Sequence, residues 1–210
     1  MPGDPRQALQ FIQEIDQYKN VFRRVYVDHG KRLENNAEHS WHVAMMVWLF
    51  APYYERPIDL GRTLKMALIH DLAEIDTGDV FSFDTEARIG KYEREQAAMQ
   101  RLLGLLPEAA AQELGSLWRE YEAAETPEAR FAQAMDKLQP VIQNLILGGR
   151  IWKDFHITED MARARKTPHL EGSPFLSGLF EMLLEQVRGP TTEERRAAPL
   201  SVVRDAAGSG

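Results

Sequence analysis

Apolar residues recur at helical spacing along almost the whole chain, and no segment alternates cleanly enough to read as a strand. From Ala37, the positions Trp41, Ala44, Met45, Trp48 and Leu49 follow the i, i+3, i+4 rule and predict a helix that buries this face. Asn35 followed by Glu38 reads as a capping-box start. A second helix is expected after Pro57, with Asp59 as its N-cap and the stripe Leu60, Leu64, Ala67, Leu68 and Asp71. An aspartate that completes an apolar stripe is the first break in the pattern. The Gly- and Asp-containing stretch Ile75 to Thr85 reads as a loop, after which helical sequence resumes over Arg88 to Leu103 and Pro107 to Ala123. Thr126-Pro127, a cap followed by a first-turn proline, opens a helix with the stripe Phe131, Met135, Leu138, Ile142 and Ile146. Pro140 interrupts that stripe and Gly148-Gly149 ends it. A last helix is expected from Pro174 to Arg188. The prediction is an all-α, single-domain helical bundle over residues 1–188, with residues 189–210 as a flexible C-terminal tail.

Composition narrows the partners. The 210 residues carry 25 Lys+Arg against 32 Asp+Glu, a formal charge of −7. That balance lacks the basic footprint that holds a nucleic-acid polymer or an anionic membrane, whereas one local cation suffices for a small phosphorylated molecule. Cysteine is absent, so disulfides, thiolate zinc sites, iron–sulfur clusters and a cysteine nucleophile are excluded. The N-terminus shows no basic-then-apolar signal pattern. The longest apolar run, Val43 to Tyr54, contains Pro52 and falls short of the ~20 residues of a membrane span. A cytoplasmic location is the expectation.

Six histidines are present, and His39, His70 with its neighbour Asp71, and Asp136 form the informative group. They fall on three predicted helices, which a bundle can bring to one point. Imidazole and carboxylate together suit a divalent first-row metal. Taken singly, a helical histidine is more often packed or exposed than a ligand, and a His-Asp pair alone is a weak signal. The set is stronger, because the pair ends the apolar run Met66-Ala67-Leu68-Ile69 and Glu74 follows one helical turn later. Asp136 beside Met135 is costly in an apolar helix unless it is paired or coordinated. His42 and His156 read as helix surface and solvated positions. The Met45-Met46 and Trp41/Trp48 positions read as core packing.

His39…His70-Asp71…Asp136 resembles the signature of the HD-domain metal-dependent phosphohydrolases. Arg32-Leu33-Glu34-Asn35-Asn36-Ala37-Glu38-His39-Ser40 and His70-Asp71-Leu72-Ala73-Glu74 with Thr77-Gly78-Asp79 are similar to two segments of the 5′-deoxynucleotidases of that family. The likeness extends from about Leu9 to Phe180. It implies one divalent ion (Co²⁺, Mn²⁺, Mg²⁺, Zn²⁺ or Fe²⁺) held by His39, His70, Asp71 and Asp136, with Glu74 handling the attacking water or the leaving group. It also implies Arg24 on the 5′-phosphate, with Arg23 adjacent, and Asp79 on the sugar 3′-hydroxyl. Where the family often has a tryptophan beside deoxyribose, this chain has Val25, which weakens the expected discrimination against ribonucleotides. No histidine lies between Asp71 and Asp136, which argues for one metal. The activity implied is hydrolysis of nucleoside 5′-monophosphates by a homodimer. The alternatives are a phosphohydrolase of cyclic nucleotides or guanosine polyphosphates, and a non-catalytic helical module with a structural metal.

Overall fold

The computed structural model describes residues 4–189. The tail expected over 189–210 lies, from residue 190, outside the described residues. The helices are α1 (Pro5–Glu14), α2 (Asn36–Phe50), α3 (Leu60–Ile69), α4 (Glu74–Thr77), α5 (Lys91–Leu103), α6 (Glu108–Ala123), α7 (Pro127–Ile146), α8 (Arg150–Asp154), α9 (Glu159–Lys166) and α10 (Pro174–Arg188). The all-α class expected from the periodicity holds, with one addition. Phe22–Val27 (β1) and Arg32–Asn35 (β2) form an antiparallel hairpin that the periodicity did not predict. Its signal was present as β-branched and aromatic enrichment in Val21, Phe22, Val25, Tyr26 and Val27, followed by a turn rather than by clean alternation. The turn carries left-handed backbone at Asp28, His29 and Gly30, a conformation glycine adopts without steric cost. The register shifts between Phe22 and Tyr26, a bulge-like irregularity around Arg23 of the kind that re-aims a side chain.

Helix α7 is the axis of the bundle. Phe131, Ala134, Met135 and Leu138 are fully buried against Val43, Met46 and Val47 of α2, Ala67 of α3 and Leu179, Phe180 and Leu183 of α10. The expected stripe is correct at Phe131, Met135 and Leu138, but Ile142 is half-buried and Ile146 exposed, because the helix leaves the core as it nears Gly148. A second cluster joins Phe11, Tyr18, Leu72, Met99, Leu102 and Trp118 beneath α5 and α6.

Two expected stripes are corrected. Helix α2 buries Asn36, His39, Ser40, Val43, Met46 and Val47, while Trp41, Trp48 and Leu49 are 63%, 57% and 61% exposed. The helix is apolar on both faces, so period alone could not choose between them. The slimmer face packs on α3 and α7, and the bulky face points outward. Helix α3 likewise buries Thr63, Met66 and Ala67 and exposes Leu68. It also stops at Ile69, with His70 as its C-cap, so Asp71 lies in the turn beyond rather than on the helical stripe. The expected caps are present: Asp59 accepts from the Arg62 N–H, Thr126 from the Ala129 N–H, and Asn35 and Glu38 form the full capping box. The short helices α8 and α9 occupy a stretch to which the periodicity assigned nothing. No helix of the described residues is long and apolar enough to cross a membrane.

The capping box starts the helix that bears His39 one turn later. Asn35→Ala is expected to cost about 1 kcal/mol of stability, read as a lower urea midpoint with an unchanged slope.

Candidate metal centre

Four elements deliver the central side chains. The first turn of α2 supplies His39, the C-cap of α3 supplies His70, the following turn supplies Asp71, and the middle of α7 supplies Asp136. All four come together. One ligating atom each from His39, His70 and Asp136 lies within 4.8 Å of the others. Asp71 Oδ2 is 3.1 Å from His70 Nε2 and 3.8 Å from His39 Nε2. Asp136 Oδ1 is 3.1 Å from His39 Nε2 and 3.8 Å from His70 Nε2.

The ring orientations decide what this cluster lacks. His39 Nδ1 lies 3.0 Å from Gln139 Oε1, and Gln139 Nε2 donates to Glu34 Oε1 at 2.7 Å. With its amide so oriented, Gln139 offers His39 an acceptor, so the imidazole proton sits on Nδ1 and Nε2 turns a lone pair inward. His70 repeats the arrangement. Its Nδ1 is 2.9 Å from the Ala67 carbonyl, and its buried Nε2 makes no hydrogen bond. An inward ring nitrogen of each histidine therefore faces carboxylates in a buried site, an arrangement that repels unless a proton or a cation stands between them. Electrostatics agree. Burial alone would lower His70, yet Asp71 and Asp136 hold it up at about 9. Burial and the Arg23 charge press His39 down to about 4, so protons cannot satisfy both rings at neutral pH. The donor set fits a divalent metal with mixed nitrogen and oxygen ligands.

Around this centre sits a layer of polar groups that the linear pattern barely marks. Tyr121 Oη donates to Asp136 Oδ2 at 3.0 Å, and Lys137 pairs with the same oxygen. Pro140, one turn on, has no N–H to donate to the Asp136 carbonyl. His42, expected on the helix surface, is half-buried with Nδ1 3.2 Å from Gln139 Nε2, which corrects that reading. Gln139 follows Asp136 by three residues on α7, the one sequence cue to its place. His156 is exposed, as expected.

Glu74 opens α4 and is buried, with Oε2 accepting from Asn36 Nδ2 at 2.7 Å and Oε1 3.3 Å from Lys91 Nζ. Burial, reinforced by the charges of Asp71 and Asp79, raises its carboxyl to about 8. The adjacent arginines part company. Arg23 turns inward to Asp71 at 2.8 Å, Asp79 at 3.3 Å and Glu34 at 3.7 Å. Arg24 is exposed at the rim, over the Phe81 ring at 5.3 Å, and no carboxylate pairs with it among the described residues. Both arginines, Val25, Asp71, Glu74, Asp79 and Asp136 line a single pocket, together with Arg88, Lys91, Lys137 and Lys166.

The HD domain model matches residues 15–176. The 5′-deoxynucleotidase HDDC2 of Danio rerio is 34% identical over 136 residues, which cover 64% of this chain and 66% of that protein, just under two thirds of its length. The 5′-deoxynucleotidase hdd1 of Schizosaccharomyces pombe is 30% identical over 183 residues, 85% of this chain and 89% of that protein. A solved structure described as a predicted metal-dependent phosphohydrolase from Magnetospirillum magnetotacticum is 41% identical, with a TM-score of 0.79 over 87% of this chain and 94% of that one.

Removing a side chain from the cluster should remove the metal before the fold. In His70→Ala or Asp136→Ala, calorimetric titration with Mn²⁺ or Co²⁺ is expected to show no tight site while far-ultraviolet dichroism keeps its helical signal. Wild-type affinity in either variant would place the metal elsewhere. Gln139→Leu, which frees the His39 ring, is expected to weaken binding roughly 10–100-fold. With the match spanning most of its residues and the signature histidines and aspartates gathered at one point, the chain belongs to the HD-domain family.

Proposed function

We propose that this protein hydrolyses nucleoside 5′-monophosphates to nucleoside and inorganic phosphate with the help of one divalent ion. The observation that carries the reading is a buried two-histidine, two-aspartate cluster whose aspartates line one pocket with a carboxyl tuned near neutrality and several cationic side chains. His39, His70, Asp71 and Asp136 would hold the ion. When bound, the ion polarises a phosphoryl oxygen and makes a water a better nucleophile near pH 7.

The chain's own groups account for the rest. Glu74, held by Asn36 and lifted to about 8, exchanges a proton near neutral pH. It takes one from the attacking water or gives one to the departing 5′-oxygen. Water adds to phosphorus, the P–O5′ bond breaks, and the electron pair leaves on the sugar oxygen, which is protonated. Arg24 at the rim contacts the phosphate, and Asp79, fixed by Arg23, accepts from the sugar 3′-hydroxyl. Val25 leaves the sugar wall of the pocket small, so ribo- and deoxyribonucleotides should both enter. A formal charge of −7 and a pocket rather than a basic track support a single nucleotide over a polymer. The lack of cysteine and of any spanning helix among the described residues is compatible with the cytoplasm.

A phosphate-release screen over deoxy- and ribonucleoside monophosphates, with and without each divalent ion, tests the activity. Release that requires metal, and that falls by about 10² or more in Glu74→Gln with metal still bound, is the expected result. Release only from cyclic nucleotides or guanosine polyphosphates would move the substrate. A metal-loaded protein inert on the whole panel would be a binding module.

The outward stripe Trp41, Trp48 and Leu49 on α2 is the surface we assign to pairing with a second copy, because two tryptophans and a leucine at i, i+7, i+8 make one apolar face in water. Trp48→Glu is expected to convert a dimer into a monomer in light scattering, and a wild type that is monomeric at micromolar concentration would remove the assignment.

A further inference from the structure

Lys166 is the last residue of α9 and lines the same pocket as Asp71, Glu74 and Asp136, yet it is only 4% exposed. Lysines are almost never buried so completely unless paired. Here no carboxylate pairs with it at 4 Å or less among the described residues. The charges that act on it most strongly are mostly of its own sign, since Lys137, Arg165 and Arg23 repel it against the attraction of Asp136. Asp136 is already engaged by Lys137 and Tyr121. The neighbour Arg165 adds a buried Nε with no acceptor, and Arg88 brings a further cation to the pocket lining. This wall of the pocket therefore holds several donors and too few acceptors, the inverse of the carboxylate cluster beside it.

A fold does not gain stability by burying an ammonium among cations, because desolvation and repulsion both oppose it. Burial, with Lys137 beside it, lowers this group to about 7, which measures the same strain. What reverses both costs is an anion with several acceptor oxygens, and a phosphoryl dianion offers three. Asp71 and Asp136 of the metal cluster line one pocket with Lys137 and Lys166, so a single phosphate ester can reach both sides, its oxygens shared between the metal and the lysines. We infer that Lys166, with Lys137, is the seat for the phosphoryl oxygens of the substrate, a role assigned above only to Arg24. The inference rests on the phosphate-ester reading of the site and adds the residues that read the phosphate. Arg24, exposed at the rim, then serves entry and Lys166 serves retention.

The test is Lys166→Met in the metal-loaded protein, with inorganic phosphate as the probe. Without phosphate the variant is expected to melt at or above the wild-type temperature, since the substitution removes a repelled, buried charge and keeps the stem's volume. Phosphate at about a hundred times its Kd should raise the wild-type melting temperature by roughly 5–10 °C, and this rise should be lost in the variant while bound metal stays at the wild-type level. For nucleotide hydrolysis, KM should rise roughly tenfold or more, and Lys166→Arg should recover part of it. A phosphate-induced rise retained in Lys166→Met, or absent from the wild type, overturns the inference. So does a variant that melts well below wild type and regains neither stability nor phosphate binding as Lys166→Gln, because the lysine would then be structural. Loss of the rise in a protein whose wild type hydrolyses no nucleotide would keep the phosphate seat and discard the nucleotidase reading.

Discussion

Two buried imidazole nitrogens, each turned toward a carboxylate, are the constraint around which the rest of this structure is arranged. Such a contact needs a proton or a cation between its partners, and the geometry persists because the opposite nitrogen of each ring is tied to a fixed acceptor. Gln139 ties His39, and the Ala67 carbonyl ties His70. The bundle thus stores an unmet demand for positive charge in its interior. That demand explains why an apolar helix such as α7 tolerates an aspartate at its middle.

The same logic runs outward in alternating layers. Arg23 answers Asp71, Asp79 and Glu34, Lys91 answers Glu74 and Glu95, and Lys137 answers Asp136. The hairpin is what makes the Arg23 connection possible, since it carries an arginine from outside the helical stack into contact with the turn after α3. Lys166 stands apart because no carboxylate among the described residues forms an ion pair with it. A pocket with surplus donors on one wall and surplus acceptors on another is complementary to a metal and a phosphate ester together, and to neither fully alone.

How far the site was legible depended on where each residue sat. His70, Asp71 and Asp136 were readable because each interrupts or ends an apolar pattern, where an unpaired polar group is costly, and His39 was readable from the signature it completes with them. Glu74 was readable from its spacing to His70, although it opens a new helix rather than continuing the old one. Glu34, Asn36 and Tyr121 carried no such mark of partnership, since their roles come from contacts across 105, 38 and 15 residues of chain. Lys166 gave no signal at all, because a lysine near a helix C-terminus usually points into water.

The sequence by itself determined the helical class and the capping of α2, α3 and α7, since these rest on local periodicity and on caps within four residues, and its family resemblance singled out His39, His70, Asp71 and Asp136. Only the tertiary structure decided which face of α2 is buried, that β1 and β2 pair, which of Arg23 and Arg24 turns inward, and that Lys166 joins the pocket. Those outcomes follow from packing between distant segments, where shape and charge across the core select among faces that the linear pattern leaves equivalent.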